Sequence, residues 1–227
     1  MRTSIRPVIA ALACTLLATA ARAEEIRVLS SVGIKTVIDV LGPQFEQKTK
    51  HKVTTVFDLA GVLKTRIEGG EPFDVAILTA PMVDELVSKG KISAATRTDV
   101  ARVGLGLMIR AGAPKPDVST VEAFRKTLVG AKSITYVTTG ASGVAFLAII
   151  DKMGIAEAIK AKATPAANGD QVNANILNGT AEFAVLPVSE ILPVKGAALG
   201  GVFPSAVQTY IVMGARVSAN GKSMVGR

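Results

Sequence analysis

Tryptophan is absent from the 227-residue chain, histidine and cysteine occur once each, and there are two tyrosines. A single histidine, His51, leaves zinc or copper sites of the usual kind without enough ligands. So sparse a set of flat aromatic rings argues against a surface that stacks sugars or bases. No run of lysine and arginine stands out, which disfavours nucleic-acid binding. Beyond the N-terminus no segment is apolar for long enough to span a membrane. What remains is an apolar-rich chain, 49% hydrophobic, with a formal charge of +8. That mild basic excess suits an anionic ligand but is equally common in exported proteins.

The chain opens with Arg2 and Arg6, then an apolar run from Pro7 to Ala20, then Ala21-Arg22-Ala23 before Glu24-Glu25. A basic start, a short apolar core and an Ala-x-Ala end predict a signal peptide over residues 1–23, cleaved after Ala23. Leu12-Ala13-Cys14 loosely matches a lipobox, but the Ala-x-Ala site explains the region better. Cleavage removes three arginines, no acid and the only cysteine, so the mature part carries +5. It then has no disulfide, no thiol nucleophile and no cysteine metal site. Roughly 200 residues suffice for one large domain or two lobes of about 100 each.

Glu25 to Leu29 reads as a first strand, followed by Ser30-Ser31-Val32-Gly33 and a helix carrying Val37, Val40, Leu41 and Phe45 at helical spacing. Lys52 to Phe57 alternates as a second strand. Asp58-Leu59-Ala60-Gly61 leads into a helix with Leu63 and Ile67, stopped at Gly69-Gly70. Asp74 to Leu78 is a third strand, and Thr79-Ala80-Pro81 opens a helix with proline in its first turn. Alternating strands and helices imply an α/β fold with a covered parallel sheet. Val103 to Ile109 is apolar with glycines at 104 and 106, a strand that crosses between two lobes. Ser119-Thr120-Val121-Glu122 reads as a capping box, and Met153 to Ala163 as helix. Asp170-Gln171-Val172 opens a short helix ending near Gly179. Glu182 to Leu186 is a strand, and Val207 to Met213 a second crossing strand.

The organising stretch is Ile134 to Asp151. A β-branched run breaks into Thr138-Thr139-Gly140-Ala141-Ser142-Gly143 and resumes at helical density. That is strand, small-residue loop and helix start. A helix N-terminus carries unpaired N–H groups and partial positive charge, and side chains this small let an anion reach them. Many such turns carry Gly and Ser only for capping, so the motif is weak in isolation.

Taken together, Val28-Leu29-Ser30-Ser31, Phe57, the run from Leu63 to Val75, Gly140-Ala141-Ser142-Gly143 and Pro187-Val188-Ser189-Glu190-Ile191-Leu192-Pro193 resemble the periplasmic molybdate-binding-type solute-binding proteins of ABC importers. These are type II periplasmic binding proteins. The likeness runs in unbroken order from about Glu25 to about Met213. It implies a two-lobe α/β clamshell, each lobe a mixed sheet flanked by helices, with the ligand clamped between them. Residues 24–103 plus 208–227 would form lobe 1 and residues 104–207 lobe 2, with crossing strands near 103–109 and 207–213. The resemblance further implies an oxyanion held by uncharged hydroxyl and backbone N–H donors from five loops. These place Ser30, Ser31 and Gly33 in the first, Ala60 and Gly61 in the second, and Thr139, Ser142 and Gly143 in the third. Val172 stands in the fourth and Pro187 in the fifth. No cofactor, no metal and no catalytic residue are implied, and the expected partner is an importer permease in the inner membrane.

The departures from that pattern shape the ligand expectation. The second loop is serine-rich in molybdate binders, whereas Asp58-Leu59-Ala60-Gly61 offers no hydroxyl and a nearby carboxylate. The fifth position is a tyrosine in molybdate binders, and Pro187 has neither a hydroxyl nor a backbone donor. A small organic acid therefore competes with a tetrahedral metal oxyanion. Family members also continue past the second crossing strand with helices that pack on lobe 1. Gly214 to Arg227 shows no helical periodicity, so an uncovered apolar face on lobe 1 is expected.

The expected function is delivery of a small anion, a molybdate-like oxyanion or small organic acid, from the periplasm to an ABC importer. The alternatives are a ligand-sensing or orphan binding module of the same fold and, from another class, an exported hydrolase. Catalysis by a serine is disfavoured, since Gly140-Ala141-Ser142-Gly143-Val144 is not a Gly-x-Ser-x-Gly elbow and His51 is remote in sequence. Asp58, Ser189 and Glu190 read as residues that brace their loops, and Lys64 and Arg66 as a solvated helix face.

Overall fold

The computed structural model describes residues 23–96 and 98–219. The signal-peptide reading of residues 1–23 therefore falls almost wholly outside them. In chain order the elements are β1 (Glu25–Ser31), α1 (Lys35–Thr49), β2 (Lys52–Asp58), α2 (Ala60–Glu68), β3 (Val75–Thr79), α3 (Ala80–Ser88), β4 (Thr98–Arg110), α4 (Val121–Gly130) and β5 (Ile134–Val137). There follow α5 (Ala141–Lys152), α6 (Ala156–Lys160), β6 (Ala163–Ala166), α7 (Gly169–Leu177), β7 (Phe183–Pro187), α8 (Val188–Ile191), β8 (Ala197–Val202) and β9 (Tyr210–Val217).

The strands form one curled mixed sheet in the order β2-β1-β3-β9-β4-β7-β5-β6, with β8 also on β4. The first three strands are parallel, as are β7, β5 and β6. Strand β4 joins the two halves. Its residues 98–104 pair with β9, and its residues 105–110 pair with β7 on one side and β8 on the other. Parallel strands buried on both faces read as unbroken apolar runs, and all residues of β5 and β7 are buried. In the second half Phe124, Phe146 and Phe203 stack with centroid separations of 4.5 and 6.3 Å, and Tyr136 packs edge-on to Phe146. In the first half Leu29, Leu63, Leu78 and Leu86 are fully buried between the sheet and helices α2 and α3.

Several local expectations are corrected. Strand β4 starts at Thr98, because antiparallel pairing with β9 extends it past its apolar segment. The α4 cap is Thr120, whose side chain accepts from the Ala123 N–H, while the Ser119 hydroxyl donates to Asp117. The helix expected over Met153 to Ala163 breaks at Gly154, where φ is +66°, leaving short α6 and the edge strand β6. Its Pro165 is tolerated there because an edge needs no donor on its outer side. Strand β8 escapes notice in the sequence because Gly200-Gly201 looks like a turn. A Cβ on Gly201 would stand 2.4 Å from the Val118 side chain. The return strand is Tyr210–Val217, whose extent follows its antiparallel pairing with β3 and β4 rather than the apolar run from Val207. Finally, α1 has no buried residue, and Val37, Val40 and Leu41 are exposed at 45%, 61% and 53%.

Candidate functional site

Open α/β sheets bind ligands beyond the carboxyl ends of their parallel strands, where successive helices diverge. Here the ends of β1, β2, β3, β5, β6 and β7 converge from the two halves of the sheet on one cavity of about 40 Å³. Its walls include Ser31, Ala60, Gly61, Thr139, Ser142 and Pro187, together with Met82, Gly169, Glu190 and Met213. A space of this size suits a few waters or a small anion.

Two helix starts face the cavity. The intrahelical bonding of α2 begins with Leu63 N–H to the Leu59 carbonyl, and that of α5 with Val144 N–H to the Gly140 carbonyl. The preceding amides, those of Ala60 and Gly61 and of Ala141 and Ser142, have no helical acceptor. Neither helix carries a side-chain cap. By contrast α7 is capped by Asn168, whose side chain accepts from the Gln171 N–H at 2.9 Å. The hydroxyls of Ser31 and Ser142 make no hydrogen bond among the described residues, although both residues are buried. Unpaired donors around a cavity without a cationic side chain can hold an anion by dipoles rather than counter-charges.

The other sequence-derived candidates stand behind this wall. Ser30 is fully buried and its hydroxyl donates to the Ser31 carbonyl at 3.2 Å. Gly33 is buried against Met213, whose methyl would lie 2.6 Å from a Cβ there. Gly143 lets α5 press onto β5, since a Cβ would come within 1.8 Å of the Val137 carbonyl oxygen. Val172 is fully buried in the apolar core, and its N–H is turned to the Asn168 carbonyl at 3.2 Å. At that helix start it is Gly169 that lines the cavity. Asp58 accepts from the Leu59 N–H at 2.8 Å, a local turn bond as expected. Lys64 and Arg66 are ion-paired, Lys64 with Glu85 and Arg66 with Glu71.

Read from sequence, Glu190 has a bracing role and no place among the ligand contacts. It lines both the inner cavity and a larger outer groove of about 620 Å³. Burial alone pushes its carboxyl up to about 7. The signal available was a carboxylate in the first turn after a buried strand end, which a bracing role explained equally well. Its neighbour Ser189 does brace, donating to the Gly33 carbonyl at 2.6 Å.

A two-half sheet that shares strand β4, with a cavity between the halves lined by polar donors and one carboxyl, has the arrangement of a periplasmic-binding-type clamshell. The chain belongs to the bacterial extracellular solute-binding proteins, whose family model matches residues 26–224. It is 32% identical to an aconitate isomerase from a Pseudomonas species over 91% of this chain and 81% of that protein. It is 29% identical to the molybdate-binding protein ModA of Azotobacter vinelandii over 84% of this chain and 75% of that one. Among solved structures, the A. vinelandii periplasmic molybdate-binding protein superposes with a TM-score of 0.72 at 18% identity, covering 88% of each chain. A tungstate ABC transporter structure from Geobacter sulfurreducens gives 0.66 at 15% identity, covering 86% and 84%. These two structures speak for the fold alone.

Proposed function

We propose that the chain captures a small anion, an oxyanion or a small organic acid, in this cleft in the periplasm and hands it to an ABC importer of the inner membrane. Residues 24–103 and 208–219 would act as one lobe and 104–207 as the other, closing on the ligand by motion about β4 and the approach to β9. The proposed contacts are the hydroxyls of Ser31, Thr139 and Ser142 and the amides of Ala60, Gly61 and Ser142, with Pro187 shaping the wall. Ser30, Gly33, Gly143 and Val172 would hold those contacts in place from behind. The observation that carries the reading is the pair of uncapped helix starts, α2 and α5, facing one cavity from opposite halves of the sheet. A thermal-shift series with molybdate, tungstate, sulfate, phosphate and small carboxylates tests it, because a ligand bound only by the folded state raises the melting temperature by mass action. Selective stabilisation by one of these anions supports the reading, and no shift with any of them overturns it.

A second reading, isomerisation of an unsaturated organic acid, is favoured by the aconitate isomerase relative together with a carboxyl in the cleft able to move a proton. Incubation with cis-aconitate followed by proton NMR separates the two. Appearance of the trans isomer at a rate proportional to protein favours catalysis, and an unchanged spectrum favours capture.

A further inference from the structure

Glu190 is the only charged residue on the inner cavity wall among the described residues. Its carboxyl oxygens stand at the seam between the two halves, 3.6 Å from the Cβ position of Gly33 on one side and 3.8 Å from that of Gly169 on the other. Gly169 lines the cavity beside the carboxyl and puts no side chain between them, while Gly33 packs against it from behind the wall. Among the described residues no hydrogen bond or ion pair reaches it. An ionised carboxylate there would repel any anion held by the nearby donors, whereas a neutral one is itself a donor.

Among the described residues, nothing packed around it neutralises that charge. On its own helix α8 it is the one titratable residue, and β7 and β8 carry none. The charged side chains of β4 are engaged elsewhere: Asp99 lies beside Gly214, Arg102 over Tyr210 and Arg110 against Gly179. The outer groove adds Asp39, Asp58 and Asp170, and its one cation, Lys35, pairs with Asp39 at 2.6 Å and lies over the Phe57 ring. A raised carboxyl in an acidic, cation-poor surround fits a group kept neutral.

We propose that Glu190 contacts the ligand directly and that one proton is shared between its carboxyl and the bound anion, so that loading the cleft with a fully deprotonated anion takes up a proton. This rests on the anion-capture reading above and adds a rule of selection. Above neutral pH an anion that brings its own proton is held at full strength, and one that must draw the shared proton from solvent is held less tightly as pH rises.

The test is titration calorimetry of the purified chain and its Glu190→Gln variant with molybdate, sulfate and malonate from pH 5.5 to 8.5, in buffers of differing ionisation enthalpy. Glutamine keeps the shape and a donor but cannot titrate. The wild type is expected to bind with affinity that falls about tenfold per pH unit above 7, with close to one proton taken up per ligand at pH 8. The variant is expected to bind with no pH dependence and no uptake. Binding by the wild type without pH dependence, or with the same profile in the variant, overturns the proposal and leaves anion capture standing. No binding by any probe to either protein overturns both. Should the variant fail to fold, carbon-13 NMR of glutamate carboxyls in the wild type decides. A carboxyl midpoint near 7 in the free protein that rises above 8 with saturating probe supports the proposal, and an unmoved midpoint overturns it.

Discussion

The Ser189 hydroxyl donates to the Gly33 carbonyl at 2.6 Å across 156 residues of sequence, and the Thr36 hydroxyl donates in return to the Ser189 carbonyl at 3.2 Å. This crossed pair ties α8 to the start of α1 at the rim of the cavity. It is a direct polar link between the two halves of the sheet, and in a closing clamshell it belongs to the closed state. Ser189→Ala removes one such bond, worth about 1 kcal/mol net. The ligand off-rate, followed by stopped-flow, is expected to rise about fivefold with little change in on-rate.

Ser31 and Ser142 offer hydroxyls that the fold does not use. A hydrogen bond to a charged acceptor is worth about 1.5–3 kcal/mol, so each single alanine substitution is expected to weaken anion binding roughly tenfold or more. The melting temperature of the free protein should stay within about a degree, since no internal partner is lost. A matching drop in stability would mean these hydroxyls serve the fold instead.

Gly143 has no room for a methyl group. Gly143→Ala would drive a Cβ to within 1.8 Å of the Val137 carbonyl oxygen, a backbone atom that cannot step aside. The first turn of α5 would have to move off β5, costing about 3 kcal/mol by comparison with overpacked cores. Urea denaturation should register the loss, and binding should fail with it because the Ser142 amide moves too.

Stability should carry the imprint of Glu190. Its folded carboxyl, at about 7, lies above the ordinary 4.5, so the folded state holds the proton more tightly than the unfolded chain. The contribution of this group is therefore fully present below about 4.5, is lost as pH rises through 7, and is constant above that. The full span is about 3 kcal/mol. Relative to the wild type, Glu190→Gln should gain melting temperature progressively between pH 5 and 8 and hold that gain at higher pH.

Val37, Ile38, Leu41 and Phe45 of α1 and the sheet residues Val28, Val53, Ile77 and Val100 line an apolar groove of about 280 Å³. Exposed patches of this kind promote association. Replacing Leu41, which is 53% exposed, with lysine is expected to leave the melting temperature unchanged and to lower light scattering at high protein concentration.

Much of this molecule was written in short stretches of chain. Strand β5, the small-residue loop and helix α5 follow from a β-branched run, a pair of glycines and renewed helical periodicity, signals that act over a few residues. The same holds for β1 to α3, whose turns and proline sit where the elements end. The loop candidates Ser31, Ala60, Gly61, Thr139 and Ser142 came from the family resemblance, and all of them line the one cavity.

Contacts between distant residues decided the rest. Val172 and Gly169 belong to one helix start, and only the packing of α7 on the core sends Val172 inward and leaves Gly169 at the cavity. Strand β8 exists because β4 offers it an edge, not because Ala197 to Val202 prefers extension. The apolar stripe of α1 has the period of a buried face, yet its burial depends on neighbours that the local pattern cannot name. Glu190 is the clearest case. Its position one turn beyond Pro187 was plain, but its charge state depends on which side chains surround it, and those arrive from residues 33, 169 and beyond. Periodicity and turn chemistry are local, whereas desolvation is a property of everything within a few ångströms, whatever its place in the chain.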